Sequence, residues 1–348
     1  MKKRILVAPL NWGLGHATRC IPIINALIDE GFVPVIASDG GTLTLLRKEF
    51  PNLSSIELPS YNITYTKNGK LFKLKLLKDS PKLLKVIKAE KKMISRILDH
   101  NDIAGIISDN RLGVRSKKVP SVFMTHQLHV LSGKTTWLST KMHQKFIKKF
   151  DVCWIPDAPG NINLSGILGH VKTFDIPLKY IGPLSRFNKS NAKIKNDLMV
   201  LLSGPEPQRT LLEEKLLSEL KDYSGNVVFV KGTIEKEQTI QVFGKVTIYN
   251  FMTSSLLEKT INESALVLSR SGYTTIMDLA KLNKKAFFIP TPGQFEQDYL
   301  AKRLTEMSLV PSCKQNDFTL QKLDDVKAYE GLKPFDFEVN YKELFSLF

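Results

Sequence analysis

Four short segments hold the residues whose types and spacing could do chemistry. The first is Leu10-Asn11-Trp12-Gly13-Leu14-Gly15-His16-Ala17-Thr18-Arg19. It sits where a strand gives way to a helix. Glycines there let a backbone approach a ligand closely, and a helix N-terminus offers N–H donors to an anion. A tight turn with His16 as a cap explains the same residues, so alone the segment decides little. It is not a dinucleotide fingerprint: a third glycine is missing, and Asp39 is the only acidic residue near the distance that fingerprint requires.

The second segment, Leu266-Val267-Leu268-Ser269-Arg270-Ser271-Gly272-Tyr273-Thr274-Thr275-Ile276-Met277-Asp278, again runs from strand into turn into helix. Its Ser-Arg-Ser-Gly turn offers N–H groups and hydroxyls to a diphosphate, with Arg270 as a charge partner. Asp278, two helical turns on, has the chemistry to accept from ribose hydroxyls. In the third, Ile289-Pro290-Thr291-Pro292-Gly293-Gln294-Phe295-Glu296-Gln297-Asp298, two prolines stiffen the loop. Gln294, Glu296, Gln297 and Asp298 then form a polar set suited to the hydroxyls of a sugar. Capping against the helix dipole accounts for one or two of these four, not for all. The fourth, Leu201-Leu202-Ser203-Gly204, is another strand-to-helix turn, and Phe251-Met252 is an apolar pair of a kind that holds a nucleobase.

Candidate general bases are His16 and Asp109. Asp109 follows the strand ending Ile106-Ile107-Ser108 and is expected to point into a cleft, although capping the next segment explains it as well. His126 ends the strand Val122-Phe123-Met124-Thr125 and is a candidate acceptor contact, with Asn11, Gly13 and Gly15. No Asp-x-Asp occurs. The nearest pattern, Asp336-Phe337-Glu338, lies in the tail, so no seat for Mg²⁺ is expected.

The elements that must position these residues alternate. Arg4–Leu10 is a continuous apolar run, as in a strand buried on both faces of a parallel sheet. A helix is expected over 17–30, ended by Gly31, then a strand over 32–38 and a helix over 41–50. Strands follow at 103–108, 121–125 and 152–155. Residues 182–196 have linker composition. The pattern restarts with a strand over 197–203, a helix over 207–220 and strands at 226–231, 246–249, 265–269 and 286–290. The expectation is α/β: two doubly wound Rossmann-like domains, 1–182 and 197–330, facing a central cleft. A tail, 331–348, packs back through Leu344, Phe345 and Leu347.

The chain has 348 residues with a formal net charge of +16, and the excess is uneven. Residues 1–180 hold 28 Lys+Arg against 13 Asp+Glu, so the basic half should face something anionic. Ten lysines fall within residues 67–92, interleaved with leucines. That pattern fits an anionic membrane surface and equally a solvated helix face. No apolar run is long enough to span a bilayer. The start lacks a signal-peptide cleavage site, and Cys20, Cys153 and Cys313 have neither disulfide nor metal spacing. A reduced, cytoplasmic protein is expected.

The order of these motifs resembles the GT-B glycosyltransferases, and most closely glycosyltransferase family 28, which includes the lipid II-forming N-acetylglucosaminyltransferase. The likeness spans nearly the whole chain. It implies transfer from a UDP-sugar, a substrate rather than a cofactor, to an acceptor hydroxyl; inversion is the expected course, and the lack of paired carboxylates makes metal-independent transfer the expectation. By resemblance the C-terminal domain holds the donor. Asp278 takes the place of the family's ribose-binding Glu, and Gln294, Glu296, Gln297 and Asp298 match the loop on the donor sugar. Ser203, Gly204, Ser271 and Gly272 match phosphate-binding turns, and Phe251 and Met252 fall where the base sits. The N-terminal domain holds the acceptor, a glycan, lipid or small molecule, and His16 matches a histidine ending the first loop. The loop Asn-Trp-Gly-Leu-Gly-His departs from the family's all-glycine version. Two rival readings stay open: a sugar-nucleotide epimerase of the same fold, and a non-catalytic sugar-nucleotide or nucleic-acid binder. No nucleic-acid recognition motif supports the last.

Overall fold

The computed structural model describes residues 2–62, 72–233, 235–335, 337 and 339–348, and for 72–80 the backbone alone. Lys67 and Lys70 of the basic stretch and the Asp336/Glu338 pair lie outside the described residues. The chain forms two compact units. One falls within Met1–Ile63, Lys73–Leu184 and Asp336–Phe348, and the other comprises Ser185–Phe335. The boundary is thus at Leu184/Ser185, at the near end of the linker-like stretch, and residues 331–335 stay with the second unit.

The first unit is a seven-stranded sheet in which every pairing is parallel. Its strands are β1 (Arg4–Pro9), β2 (Val33–Ser38), β3 (Ser55–Glu57), β4 (Ile103–Asp109), β5 (Ser121–Met124), β6 (Val152–Ile155) and β7 (Leu178–Tyr180). Their order is β3-β2-β1-β4-β5-β6-β7. Ile5 to Ala8 are 0% exposed, as their unbroken apolar run required. The helices are α1 (Leu14–Asp29), α2 (Gly40–Glu49), α3 (Phe72–His100) and α4 (Thr136–Ile147). α1 begins three residues before the expected start, inside the glycine segment. The strand order reverses between β1 and β4, and at such a switch point a parallel sheet opens a crevice at its carboxyl edge.

The C-terminal helix, labelled α9 (Tyr341–Phe345), belongs to this unit. Phe345 packs against Phe32 and Trp154, Phe348 against Trp154, and Lys3 Nζ donates to the Phe348 carbonyl at 2.6 Å. Gly105 makes room for Phe348, since a Cβ there would lie 2.1 Å from its ring. Leu347, expected to be covered, is instead 39% exposed.

The second unit holds β8 (Asn196–Leu201), β9 (Val227–Val230), β10 (Ile240–Phe243), β11 (Val246–Tyr249), β12 (Ser264–Ser269) and β13 (Lys285–Phe288). Their order is β10-β11-β9-β8-β12-β13, with only β10 antiparallel. Its helices are α5 (Gln208–Glu219), α6 (Ser254–Asn262), α7 (Tyr273–Lys281) and α8 (Phe295–Glu306). Here the reversal falls between β8 and β12. The Ser203-Gly204 and Arg270-Ser271-Gly272 turns therefore leave the sheet side by side.

Candidate functional site

In the first unit the chemistry gathers at the β1/β4 switch point. Leu10 N–H donates to the Asp109 carbonyl at 2.9 Å, which joins the two strand ends. Gly13 then takes φ 79° at the N-cap of α1. A Cβ at Gly13 would meet nothing within 4 Å, so the left-handed backbone, not crowding, demands glycine. This turn starts α1 directly over the strand ends and brings His16 and Arg19, one helical turn apart, onto Asp109.

Asp109 is fully buried. Arg19, 2% exposed, grips it from two sides, Nε to Oδ2 at 2.7 Å and Nη2 to Oδ1. His16 Nδ1 lies 3.1 Å from both carboxylate oxygens. Burial alone would raise the Asp109 carboxyl, but the adjacent charges of Arg19 and His16 outweigh it and bring it down to about 2. Asp109 is therefore an anion that touches other side chains and presents no surface to an acceptor. The expectation of an Asp109 base facing a cleft is corrected: its partners enclose it. His16 keeps a 14% exposed side chain. Burial pulls His16 below its ordinary range; Asp109 opposes the fall and Arg19 adds to it, so the ring is neutral at pH 7. With Nδ1 turned to Asp109, Nε2 is the nitrogen left to face a ligand.

Two candidate acceptor contacts are corrected as well. His126 is 5% exposed, and its Nδ1 accepts from Arg19 Nη1 at 3.0 Å. The Asn11 amide is spent inside the protein: Nδ2 donates to Asp39 at 3.1 Å and Oδ1 accepts from Thr42 N–H at 3.3 Å. Asp39 in turn receives Arg111 Nη1 at 2.6 Å, and Arg111 Nε reaches Glu90 at 2.7 Å. Tyr61 and the Gly113 N–H also donate to Glu90. This buried network fixes the first loop to α2 and α3. Gly15 stands in the first turn of α1, half-buried.

In the second unit, Ser203 and Gly204 are half-buried in the turn after β8. Gly204 takes φ 113° with nothing near its missing Cβ, so the turn can offer bare backbone to a ligand. Gly272 caps α7, whose first N–H groups point out of the helix. Arg270, however, is a strut. At 2% exposure it donates to the carbonyls of Ile289 (3.2 Å), Pro290 (3.0 Å) and Gln208 (2.8 Å) and to Gln315 Oε1 (2.7 Å). Burial pushes its guanidinium down to about 9. The idea of Arg270 as a diphosphate charge partner is thereby corrected: its N–H groups tie the β12 turn to the ends of β13 and α5.

Ser271 and Gln297 share that internal role. Ser271 Oγ donates to the Gln297 carbonyl at 2.9 Å, and Gln297 Oε1 accepts from Thr291 N–H at 2.8 Å. Ser271 is 0% and Gln297 9% exposed, so these side chains shape the two loops instead of lining them. Gln294 is the N-cap of α8, with Glu296 and Asp298 in its first turn. Gln294 and Glu296 are half-buried and Asp298 is exposed, so this trio forms the accessible part of the loop. Phe251 and Met252, at 4% and 6% exposure, form a wall behind β11. Asp278 is half-buried, and its Oδ1 accepts from Ser185 Oγ at 2.7 Å. Burial raises it to about 6, against the pull of Arg186 and Ser185. Among the described residues, no group of three or more His, Cys, Asp or Glu is placed to hold a metal ion, and no helix is long and apolar enough to cross a membrane.

Sequence reasoning missed Arg19, although its position three residues after His16 on one helix face was a readable signal. It also missed the Asp39–Arg111–Glu90 network, whose members lie too far apart in sequence for any spacing to show.

Comparison with known proteins supplies the family context. Residues 208–330 match the glycosyltransferase family 28 C-terminal domain. A UDP-N-acetylglucosamine–N-acetylmuramyl-(pentapeptide) pyrophosphoryl-undecaprenol N-acetylglucosamine transferase of Buchnera aphidicola is 24% identical over 244 residues, 68% of this chain and 64% of the relative. The match thus spans just under two thirds of that relative. An uncharacterised glycosyltransferase of Methanopyrus kandleri is 23% identical over 319 residues, 85% of this chain and 86% of that one. Among solved structures, MurG of Acinetobacter baumannii superposes with a TM-score of 0.54 at 15% identity, covering 99% of this chain and 98% of that one. The glycosyltransferase LpCGTa in complex with UDP gives 0.57 at 11% identity, covering 94% and 89%.

Proposed function

We propose that this chain, which has the GT-B fold and resembles glycosyltransferase family 28, moves a sugar from a UDP-sugar to an acceptor hydroxyl with inversion, without a metal ion or bound cofactor. The observation that carries the reading is the His16–Asp109 pair at the switch point of the first unit. The acceptor oxygen attacks the anomeric carbon as the bond from that carbon to the diphosphate oxygen breaks. The electron pair leaves with UDP, and the hydroxyl proton passes to His16 Nε2. The resulting imidazolium is stabilised by the buried Asp109 carboxylate. Backbone N–H groups at Ser203-Gly204 and at the start of α7 are the donors suited to the charge growing on the diphosphate. Asp278 receives ribose hydroxyls, and Gln294, Glu296 and Asp298 the sugar.

A panel of UDP-sugars screened by thermal shift tests donor binding, since a ligand that binds only the folded state raises the midpoint. Asp278→Ala should abolish that shift. The anomeric proton coupling in the product reads the stereochemistry, and undiminished turnover in EDTA reads metal independence. A new epimer formed from the UDP-sugar alone would replace this reading with epimerisation.

The acceptor is lipid-linked in this reading, and the first unit supports it with a basic, partly apolar surface. Lys85, Lys88, Lys91 and Lys92 of α3 are exposed. On α4, Trp137 is 69%, Leu138 45% and Met142 51% exposed, with Lys141 Nζ 4.7 Å from the Trp137 ring centre. Burial and the neighbouring Arg115, Lys145 and Lys91 pull Lys149 below its ordinary range, so positive charges crowd around the end of α4. Such a face matches anionic phospholipid headgroups. Co-sedimentation with phosphatidylglycerol vesicles at low salt, lost in Trp137→Ser/Met142→Ser, tests it; indifference to the vesicles rejects it.

A further inference from the structure

The stretch after Leu184 has linker composition, yet its first residues are bound into the second unit. Phe187 is 1% exposed. The Asn188 N–H donates to Glu258 Oε2 at 2.8 Å, and the Ser190 N–H to Asn262 Oδ1 at 3.0 Å. Asn262 Nδ2 donates in turn to the Asn188 carbonyl at 3.0 Å. Both side chains belong to α6, so the segment is laid along that helix by contacts that involve no ligand. Ser185, the first residue of the unit, then meets Asp278 in the second turn of α7. Its oxygen accepts the Phe187 N–H at 3.1 Å, and its one proton goes to Asp278 Oδ1 at 2.7 Å. The Phe187 N–H occupies a lone pair of Oγ and so fixes which way the hydroxyl turns.

We propose that Ser185 is a positioning residue of the candidate ribose site: its hydroxyl, aimed by the Phe187 N–H, holds the Asp278 carboxylate by Oδ1 and leaves Oδ2 to receive a ribose hydroxyl. This role rests on the reading of Asp278 as the acceptor of ribose hydroxyls. A hydroxyl aimed at Oδ1 favours the carboxylate over the carboxylic acid, because a hydrogen bond to the charged form is the stronger one. The Arg186 guanidinium is the charged group set against Asp278 and acts in the same direction, while burial favours the neutral acid. The acid form carries its proton on the oxygen that Ser185 does not hold, which is the oxygen a ribose hydroxyl needs. Ser185 therefore acts through Asp278, with its own proton already committed. A residue from the start of the linker-like stretch, 93 positions away in the chain, thus sets both the orientation and the charge of the carboxylate on α7.

The direct test needs no ligand. Carbon-13 NMR of the Asp278 side-chain carboxyl, assigned by its loss in Asp278→Asn, gives the titration midpoint. It should lie at about 6 in the native protein. In Ser185→Ala it should rise by about one pH unit, and in Ser185→Thr, which keeps the hydroxyl, it should return toward the native value. Ser185→Gly removes the same hydroxyl and decides the matter should Ser185→Ala fail to fold. An unchanged or lower midpoint in either folded variant overturns the proposal. Calorimetry with UDP then compares native protein and Ser185→Ala at the same pH, so that titration of UDP itself cancels. The variant should bind about threefold more weakly at pH 6.5 and equal the native protein at pH 8.5, where both carboxyls are ionised. An equal loss at both pH values marks a general disturbance of the segment and overturns the proposal. If the midpoint rises while UDP affinity is the native one at both pH values, the hold of Ser185 on Asp278 stands and the ribose role of Asp278 falls.

Discussion

Replacing Arg270 with methionine separates a strut from a phosphate ligand. The structure places four acceptors on its guanidinium, at 3.2, 3.0, 2.8 and 2.7 Å. Each buried acceptor left without a donor costs about 1–3 kcal/mol, so about 8 kcal/mol is lost across the set. The variant also relieves a cost. The fall of the guanidinium from 12.5 to about 9 on folding corresponds to about 5 kcal/mol of unfavourable burial, present at every pH below about 9. Methionine fills much of the space, so the net loss is about 3 kcal/mol. For a unit of this size that is about 6–12 °C in the unfolding midpoint. Differential scanning fluorimetry reads the midpoint and calorimetry with UDP reads the affinity. The strut predicts a large fall in stability, with affinity recovering as temperature is lowered and the donor loops re-form. A native midpoint combined with collapsed UDP affinity would refute the reasoning and return Arg270 to the diphosphate.

Four other outcomes follow from the same geometry. Asp278, raised to about 6 by burial, is protonated at pH 5, so UDP affinity should climb as pH rises through 6, and Asp278→Asn should flatten that dependence in calorimetry. Its raised value also means that ionisation opposes folding as pH rises above 3.8, so Asp278→Asn should gain stability at pH 7.5 and none at pH 3 in urea unfolding. Asp109 has the opposite sign: held near 2, it stabilises the fold above 3.8 and loses that contribution as pH falls toward 2. Asp109→Asn leaves the buried Arg19 charge without its anion, at about 3–5 kcal/mol measured by urea unfolding at pH 7, and lowers kcat. Gly13→Ala meets no neighbour but must hold φ 79°, so it should lower stability by about 1–2 kcal/mol in the same assay, with no change in slope.

Much of this protein was legible in its residue order. The unbroken apolar runs at 4–10 and 103–108, with helices of one-sided hydrophobicity between them, dictate parallel strands buried on both faces and hence doubly wound sheets. Both are local patterns with fixed periods, and a chain obeys them wherever burial rewards them. The glycines at 13 and 204 marked turns that no other residue enters without strain. The Ser-Arg-Ser-Gly and Pro-x-Pro-Gly-Gln-Phe-Glu-Gln segments marked the turns that open α7 and α8. Side-chain roles were another matter. Arg270, Ser271, Gln297 and Asn11 carry polar groups that serve a ligand or a neighbouring loop equally well, and sequence shows the group without its partner. The choice was made by carbonyls brought in from Gln208 and Ile289 and by a carboxylate from Asp39, residues distant in the chain. The same holds for His16 and Asp109, 93 positions apart. Sequence supplied an imidazole and an acid. Only the packing of α1 across β4 decided that the acid would be enclosed, that the imidazole would keep one edge toward solvent, and that an arginine would touch them both.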